Sequence, residues 1–143
     1  MVTIQEVFDT AIHLMDEQNE SSGATETQDT APYKVRTISI LNATIPHLYP
    51  FSDTYQSSDP GTRPVCPRLV VSDYRTPDFT QSIPLDDSLA IGVLPYALAS
   101  QLLAGENEEL SSYFQNQYMQ QFSILKDKVL GVWEKIPLPY GTF

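Results

Sequence analysis

Apolar residues recur three and four positions apart in several stretches of this chain, and the fullest instance runs from Ile83 to Lys126. That segment, IPLDDSLAIGVLPYALASQLLAGENEELSSYFQNQYMQQFSILK, predicts a helical hairpin with its starts and stops marked. Asp86 and Asp87 stand where a helix begins, and carboxylates there accept from free backbone amides and meet the positive end of the helix dipole. Leu89, Val93, Tyr96, Ala97 and Leu103 follow at roughly helical spacing, until Gly105 offers the left-handed conformation that ends helices cheaply. Asn107 is placed to cap a second helix and Glu108 and Glu109 suit its first turn. Leu110, Tyr113, Phe114, Tyr118, Phe122 and Leu125 then mark an aromatic and apolar face against one of Gln, Asn and Ser.

Nearer the start, Thr3 and Glu6 form a T-x-x-E capping box, with Val2 and Val7 as a hydrophobic staple. A helix from about Ile4 follows, with Ile4, Val7, Phe8, Ala11, Leu14 and Met15 on its buried face. The periodicity then vanishes into Ser, Thr, Gly and acids, which predicts a mobile loop at about 18–31. A second helix is predicted from about Tyr33 to Tyr49 on the stripe Ile38, Leu41, Ile45 and Leu48; Pro46 either kinks it or ends it, and Pro95 poses the same question in the third. Residues 52–64, with Pro60-Gly61 as a reversal signal, read as a surface loop. Residues 68–72 and 79–85 are the two credible strand pieces. They make either a small antiparallel hairpin or an irregular extended crossing, because Pro77 and Pro84 limit ladder bonding. After Lys128 the sequence VLGVWEKIPLPYGTF is apolar, but Gly131, Pro137, Pro139 and Gly141 are read as forbidding a continued helix. The expectation is a mainly α, four-helix single domain over residues 1–128, with a short extended or β-hairpin insert before helix 3 and an extended C-terminal arm over 129–143.

Charge narrows the function classes. Eighteen acidic residues against eight basic ones give a net charge of −10, which disfavours binding nucleic acid phosphates by bulk attraction. No apolar run approaches the ~20 residues needed to span a bilayer, and the first residues lack a secretory pattern, so a soluble, unprocessed protein is expected. Cys66 is alone, which excludes an intramolecular disulfide and a cysteine metal cluster. His13 and His47 stand in no spacing that makes a metal pair or a base beside a nucleophile. Asp73, Asp78, Asp86 and Asp87 lack the spacing of a calcium loop and suit helix caps and turns. Phosphate-loop, dinucleotide and nucleophile-elbow motifs are absent from the sequence, so no enzyme, cofactor, metal or small-molecule substrate is expected.

The acidic helix start, the LPYALASQLLAGEN helix with its small-residue stripe and the following ELSSYFQNQYMQQFSILK helix resemble bacteriophage and prophage head-tail connector (adaptor) proteins. The resemblance reaches more loosely to the first helix and to YKVRTISILNATIPHLYPFSDTY, and spans about two thirds of the chain. It implies a small helical subunit that forms a homo-oligomeric ring between portal and tail, assembled in the bacterial cytoplasm and ending in the phage neck. Its partners would be copies of itself and phage portal and tail proteins, with DNA passing through the ring without sequence-specific contact. In that setting the apolar arm is expected to dock on a neighbour, with Trp133, Ile136, Leu138, Tyr140 and Phe143 as its anchors. Rival readings are a tail-completion or tail-terminator protein, which is usually richer in sheet, and a small acidic protein-binding module.

Overall fold

The computed structural model describes residues 1–52 and 65–134, with side chains described as far as Leu125. Helix α1 (Ile4–Met15) starts as its sequence dictates: Thr3 Oγ1 accepts from the Glu6 amide at 3.3 Å and the Glu6 carboxylate accepts from the Thr3 amide at 3.4 Å. Its buried face is Ile4, Val7, Phe8, Ala11, Ile12 and Met15, while Leu14 packs at the rim. Asp16 ends the helix in the left-handed region at φ 59°, a conformation that Asp tolerates better than most residues.

Helix α2 (Ala31–Leu48) passes through Pro46 and stops two residues later, tightening into a 3-10 turn (Tyr49–Phe51). The proline withholds one donor, the one that would have reached the Asn42 carbonyl, and does not end the helix. Pro95 acts differently. The predicted third helix is in two pieces, α3 (Asp87–Gly92) and α4 (Leu94–Leu103), joined at Val93, whose φ of −122° leaves the helical range. The ring of Pro95 then lies in the first turn of α4, where no backbone donor is missed. Asp86 caps α3 by accepting from the Leu89 amide.

Leu94, Ala97, Leu98, Ala99, Ser100, Leu102 and Leu103 of α4 are all buried, so this short helix is apolar nearly all round. Such a helix belongs at the centre of its domain, and α1, α2, α3 and α5 (Glu108–Glu134) all pack against it. The turn into α5 corrects one expectation. Gly105 does not adopt a left-handed conformation; the Glu106 and Asn107 amides bond back to the Leu103 carbonyl instead, and Asn107 Oδ1 caps α5 at the Leu110 amide. A second correction concerns the end of α5. Its backbone remains helical to Glu134, so the segment read as an extended arm begins, at 129–134, as helix; Gly131 weakens a helix by about 1 kcal/mol without forbidding one. Residues 135–143 lie outside the described residues.

The insert before α3 is extended and, among the described residues, forms no hairpin; the sole pairing is an isolated bridge between Thr3 and Ser82. Its backbone is satisfied by other means. Asn42 of α2 brackets Leu69, donating to its carbonyl (3.0 Å) and accepting from its amide (2.9 Å), and Gln81 brackets Val70 in the same way (2.7 and 2.8 Å). Adjacent residues of an extended chain turn their polar groups to opposite sides, so the two amides hold the segment from both edges and stand where partner strands would. Further on, the Phe79 and Gln81 carbonyls accept from the Gln5 and Ile4 amides, and the Ile83 amide donates to Val2. Phe79, Ile83 and Leu85 enter the core there, with the Phe8 and Phe79 rings 5.2 Å apart.

Candidate interaction surface

Helices α4 and α5 form the predicted hairpin, closed by a reciprocal serine contact. Ser100 Oγ donates to the Ser111 carbonyl at 3.0 Å and Ser111 Oγ donates to the Ser100 carbonyl at 2.8 Å, a pairing that only small side chains permit. Phe114 fills the interface at 4% exposure, with Tyr118 and Phe122 stacked and partly buried beside it; Phe122 also meets Phe51 edge-on at 5.1 Å. The aromatic stripe of α5 is therefore divided: Tyr113 points away from the core and is 53% exposed.

Residues 110–125 contain no Asp, Glu, Lys or Arg in a chain of net charge −10. On one flank of this uncharged stretch Leu110, Tyr113 and Ile124 are 40–53% exposed, and Ile91 of α3, 52% exposed, stands on the same side of the molecule. Gly92 leaves room for Leu125 between α3 and α5, with 3.9 Å from a built Cβ to its Cδ1. On the opposite flank, α2 and α5 diverge over α4 and leave a groove of about 430 Å³. Ser39, Ala43 and His47 of α2, Ala97 and Gln101 of α4 and Gln115 of α5 line it, none of them an acid, Lys or Arg.

Asp87 of α3 lies in the same shallow depression as Ile91 and Ile124, and four further acids gather at one end of the bundle. Asp16 and Glu17 after α1, Asp29 before α2 and Glu106 before α5 share one end of the bundle, where the Tyr33 hydroxyl donates to Glu106. Burial, then the charges of Glu106, Asp29 and Asp16, pushes the Glu17 carboxyl above the usual range. Burial, then the bond to Glu106, raises the Tyr33 phenol. The polar loop at 18–31 is tied to α1: Thr25 donates to Asp9 at 2.6 Å, and His13 Nε2 lies 3.2 Å from the Gly23 carbonyl. Lys34 pairs with Glu26 at 3.1 Å.

The candidate chemical groups do structural work where they are described. Asp73 and Asp78 cap turns at the Arg75 and Thr80 amides, and Asp86 caps α3. The Cys66 thiol is half-buried, and burial pushes its pKa up, away from thiolate chemistry. Among the described residues no group of three or more His, Cys, Asp or Glu could hold a metal ion, and no helix is long and apolar enough to cross a membrane. Of the predicted anchors, Trp133 falls in the last turn of α5, where the backbone alone is described, and Ile136, Leu138, Tyr140 and Phe143 lie outside the described residues. The sequence reading put Leu110 and Tyr113 on one face with Phe114, Tyr118 and Phe122 without separating exposed from covered residues, and it missed Ile124 and the groove on α2. A scan for where the charges stop would have marked residues 110–125.

No family model, curated protein or solved structure matches this chain.

Proposed function

We propose that this protein is a non-enzymatic assembly module, a head-tail connector subunit of a tailed phage or prophage that works as a ring of copies between portal and tail. The observation that carries the reading is the α4–α5 hairpin, whose second helix leaves apolar side chains exposed along an uncharged flank. Interface cores are depleted in charge and enriched in aromatic residues relative to other surface, and Tyr113 between Leu110 and Ile124 fits that pattern on α5. The resemblance in the hairpin supplies the phage setting. A mainly helical body without strands among the described residues suits a connector better than a sheet-rich tail terminator.

In this role the mechanism is geometric. Helical bodies pack side by side, the segment from Val129 onward docks on an adjacent protein, and affinity accumulates over repeated contacts. A carboxylate-rich channel wall would keep passing duplex from adhering. The test is capture by the portal protein encoded beside this chain's gene, with full-length protein and with a chain ending at Lys128. Binding by the first and loss in the second supports the reading. No binding by full-length protein, and no copies of it in purified virions by mass spectrometry, would overturn it.

A further inference from the structure

We infer that the exposed face shared by α3 and α5 receives an amphipathic helix of a partner protein, apolar along one side and carrying Lys or Arg near both ends. The inference names the partner chemistry of the surface on which the assembly reading stands, and rests on that reading for the premise that the surface has a partner. Leu110, Tyr113 and Ile124 are each 40–53% exposed, and with Gln117 and Gln121 between them they fall within about 80° of one another round α5. Their steps of three and four make the ridge along which a second helix packs. Beside the far end of that ridge, Ile91 and Ile124 line a shallow depression of about 510 Å³ between α3 and α5, where Gly92 leaves space for a side chain from another helix.

Charge selects the occupant. The stripe on α5 holds no ionisable acid or base of its own, but carboxylates bracket it: Asp87 lines the depression at one end, and Glu109 stands one helical turn before Tyr113 at the other. Both are exposed, and among the described residues neither is paired with a base. Residues 86–87, 106–109 and 126–128, at the two ends, hold six acids against two bases. From Glu109 to Ile124 the helix rises about 22 Å, so a partner helix of about four turns would set its apolar side on the stripe and a cation beside each carboxylate. A second copy of net charge −10 would bring acids to acids, and anionic lipid headgroups would be repelled in the same way.

The test uses the full chain and a synthetic capped peptide of about sixteen residues, with Leu at the spacing of the stripe, Lys at both ends, and Ala and Gln elsewhere. One companion peptide carries Glu in place of Lys; another has its Leu positions scattered round the helix. In titration calorimetry the Lys-ended peptide should bind wild type, and both companions should bind at least about tenfold more weakly. Affinity should fall severalfold between about 0.05 M and about 0.5 M salt as the end charges are screened. Y113Q/I124Q, which removes two exposed anchors, should weaken the Lys-ended peptide at least about tenfold. D87K/E109K should lose the Lys-ended peptide and gain the Glu-ended one, an exchange that an unfolded variant cannot give; D87N/E109Q, intermediate in charge, serves should D87K/E109K lose helicity by circular dichroism. E17Q/D29N, at the acid-rich end of the bundle, should bind as wild type does. A Kd above about 1 mM for the Lys-ended peptide, equal binding of the scattered peptide, or a loss through E17Q/D29N in place of D87K/E109K would overturn the inference. Portal capture separates the two claims: a chain that captures portal but ignores the peptide sinks this inference alone, and one that binds the peptide at this face but never binds portal sinks the connector reading alone.

Discussion

Replacing Asn42 by Ala tests whether a side-chain amide holds the extended insert in place of a neighbouring strand. Asn42 is the described partner of both the Leu69 amide and the Leu69 carbonyl, and Leu69 is 7% exposed. Truncation leaves one donor and one acceptor of a buried residue unpaired, at roughly 1–3 kcal/mol each where water cannot reach them. Val70 next to it is 69% exposed, so water has partial access and the lower figure applies to each group, about 2 kcal/mol together. Ala is the better helix former by about 0.5 kcal/mol, which brings the expected net loss to about 1.5 kcal/mol. Gln81→Ala removes the matching bracket on Val70, whose groups then meet solvent, and should cost less than about 1 kcal/mol. Asn42→Asp keeps an acceptor for the Leu69 amide but loses the donor, so it should fall between wild type and Asn42→Ala. Urea denaturation followed by circular dichroism reads all three. With a slope near 2 kcal/mol/M, the Asn42→Ala midpoint should drop by about 0.7 M. A loss below about 0.5 kcal/mol, or Gln81→Ala proving the more damaging, would refute the bracketing argument.

Glu17→Gln should be more stable than wild type at neutral pH. The folded pKa of Glu17 is raised above its unfolded value, so its stabilising contribution is complete at low pH and is lost as pH rises through the folded value. Thermal melts at pH 7 and near pH 4 should show the advantage shrinking on acidification; an advantage that does not change with pH argues against the acid cluster. Ser100→Ala should cost about 1 kcal/mol in chemical denaturation, whereas Ser100→Val should cost over about 2 kcal/mol by wedging α4 from α5, and equal costs would mean the helices are not in close contact there. Gly92→Ala, where a Cβ has room and φ is not positive, should stabilise by about 0.5 kcal/mol and raise Tm by 1–2 °C in calorimetry, and a fall in Tm would show that α3 and α5 pack more tightly than described.

Elements whose signals are local were legible in the sequence. The capping box at Thr3 and Glu6 and the caps at Asp86 and Asn107 each act within one turn, so spacing alone placed the starts of α1, α3 and α5. The prolines were harder, because what each one does depends on its neighbours. Pro46 lies close enough to the end of α2 to be absorbed, while Pro95 splits a helix whose central residues are uniformly apolar. The hairpin alternative failed because Asn42 and Gln81, distant in the chain, occupy the edges of the extended segment, and no period along a sequence announces that. The Gly105 expectation failed for a related reason: the turn closes through amides bonding back to Leu103, which needs no positive φ. The apolar face of α5 was legible as a face, but which of its aromatics would be covered depended on where α4 ends, and that left Tyr113 outside.

The first helix has its opening amides held by Phe79 and Gln81, and Val2 is held by Ile83. During synthesis the ribosome releases the beginning of the chain long before those residues, so the earliest segment must wait for the later one before its final seat exists. An N-terminal fusion would leave that seat intact only if its linker ends ahead of Val2, and a fragment ending before Phe79 would emerge with its first helix started but never anchored.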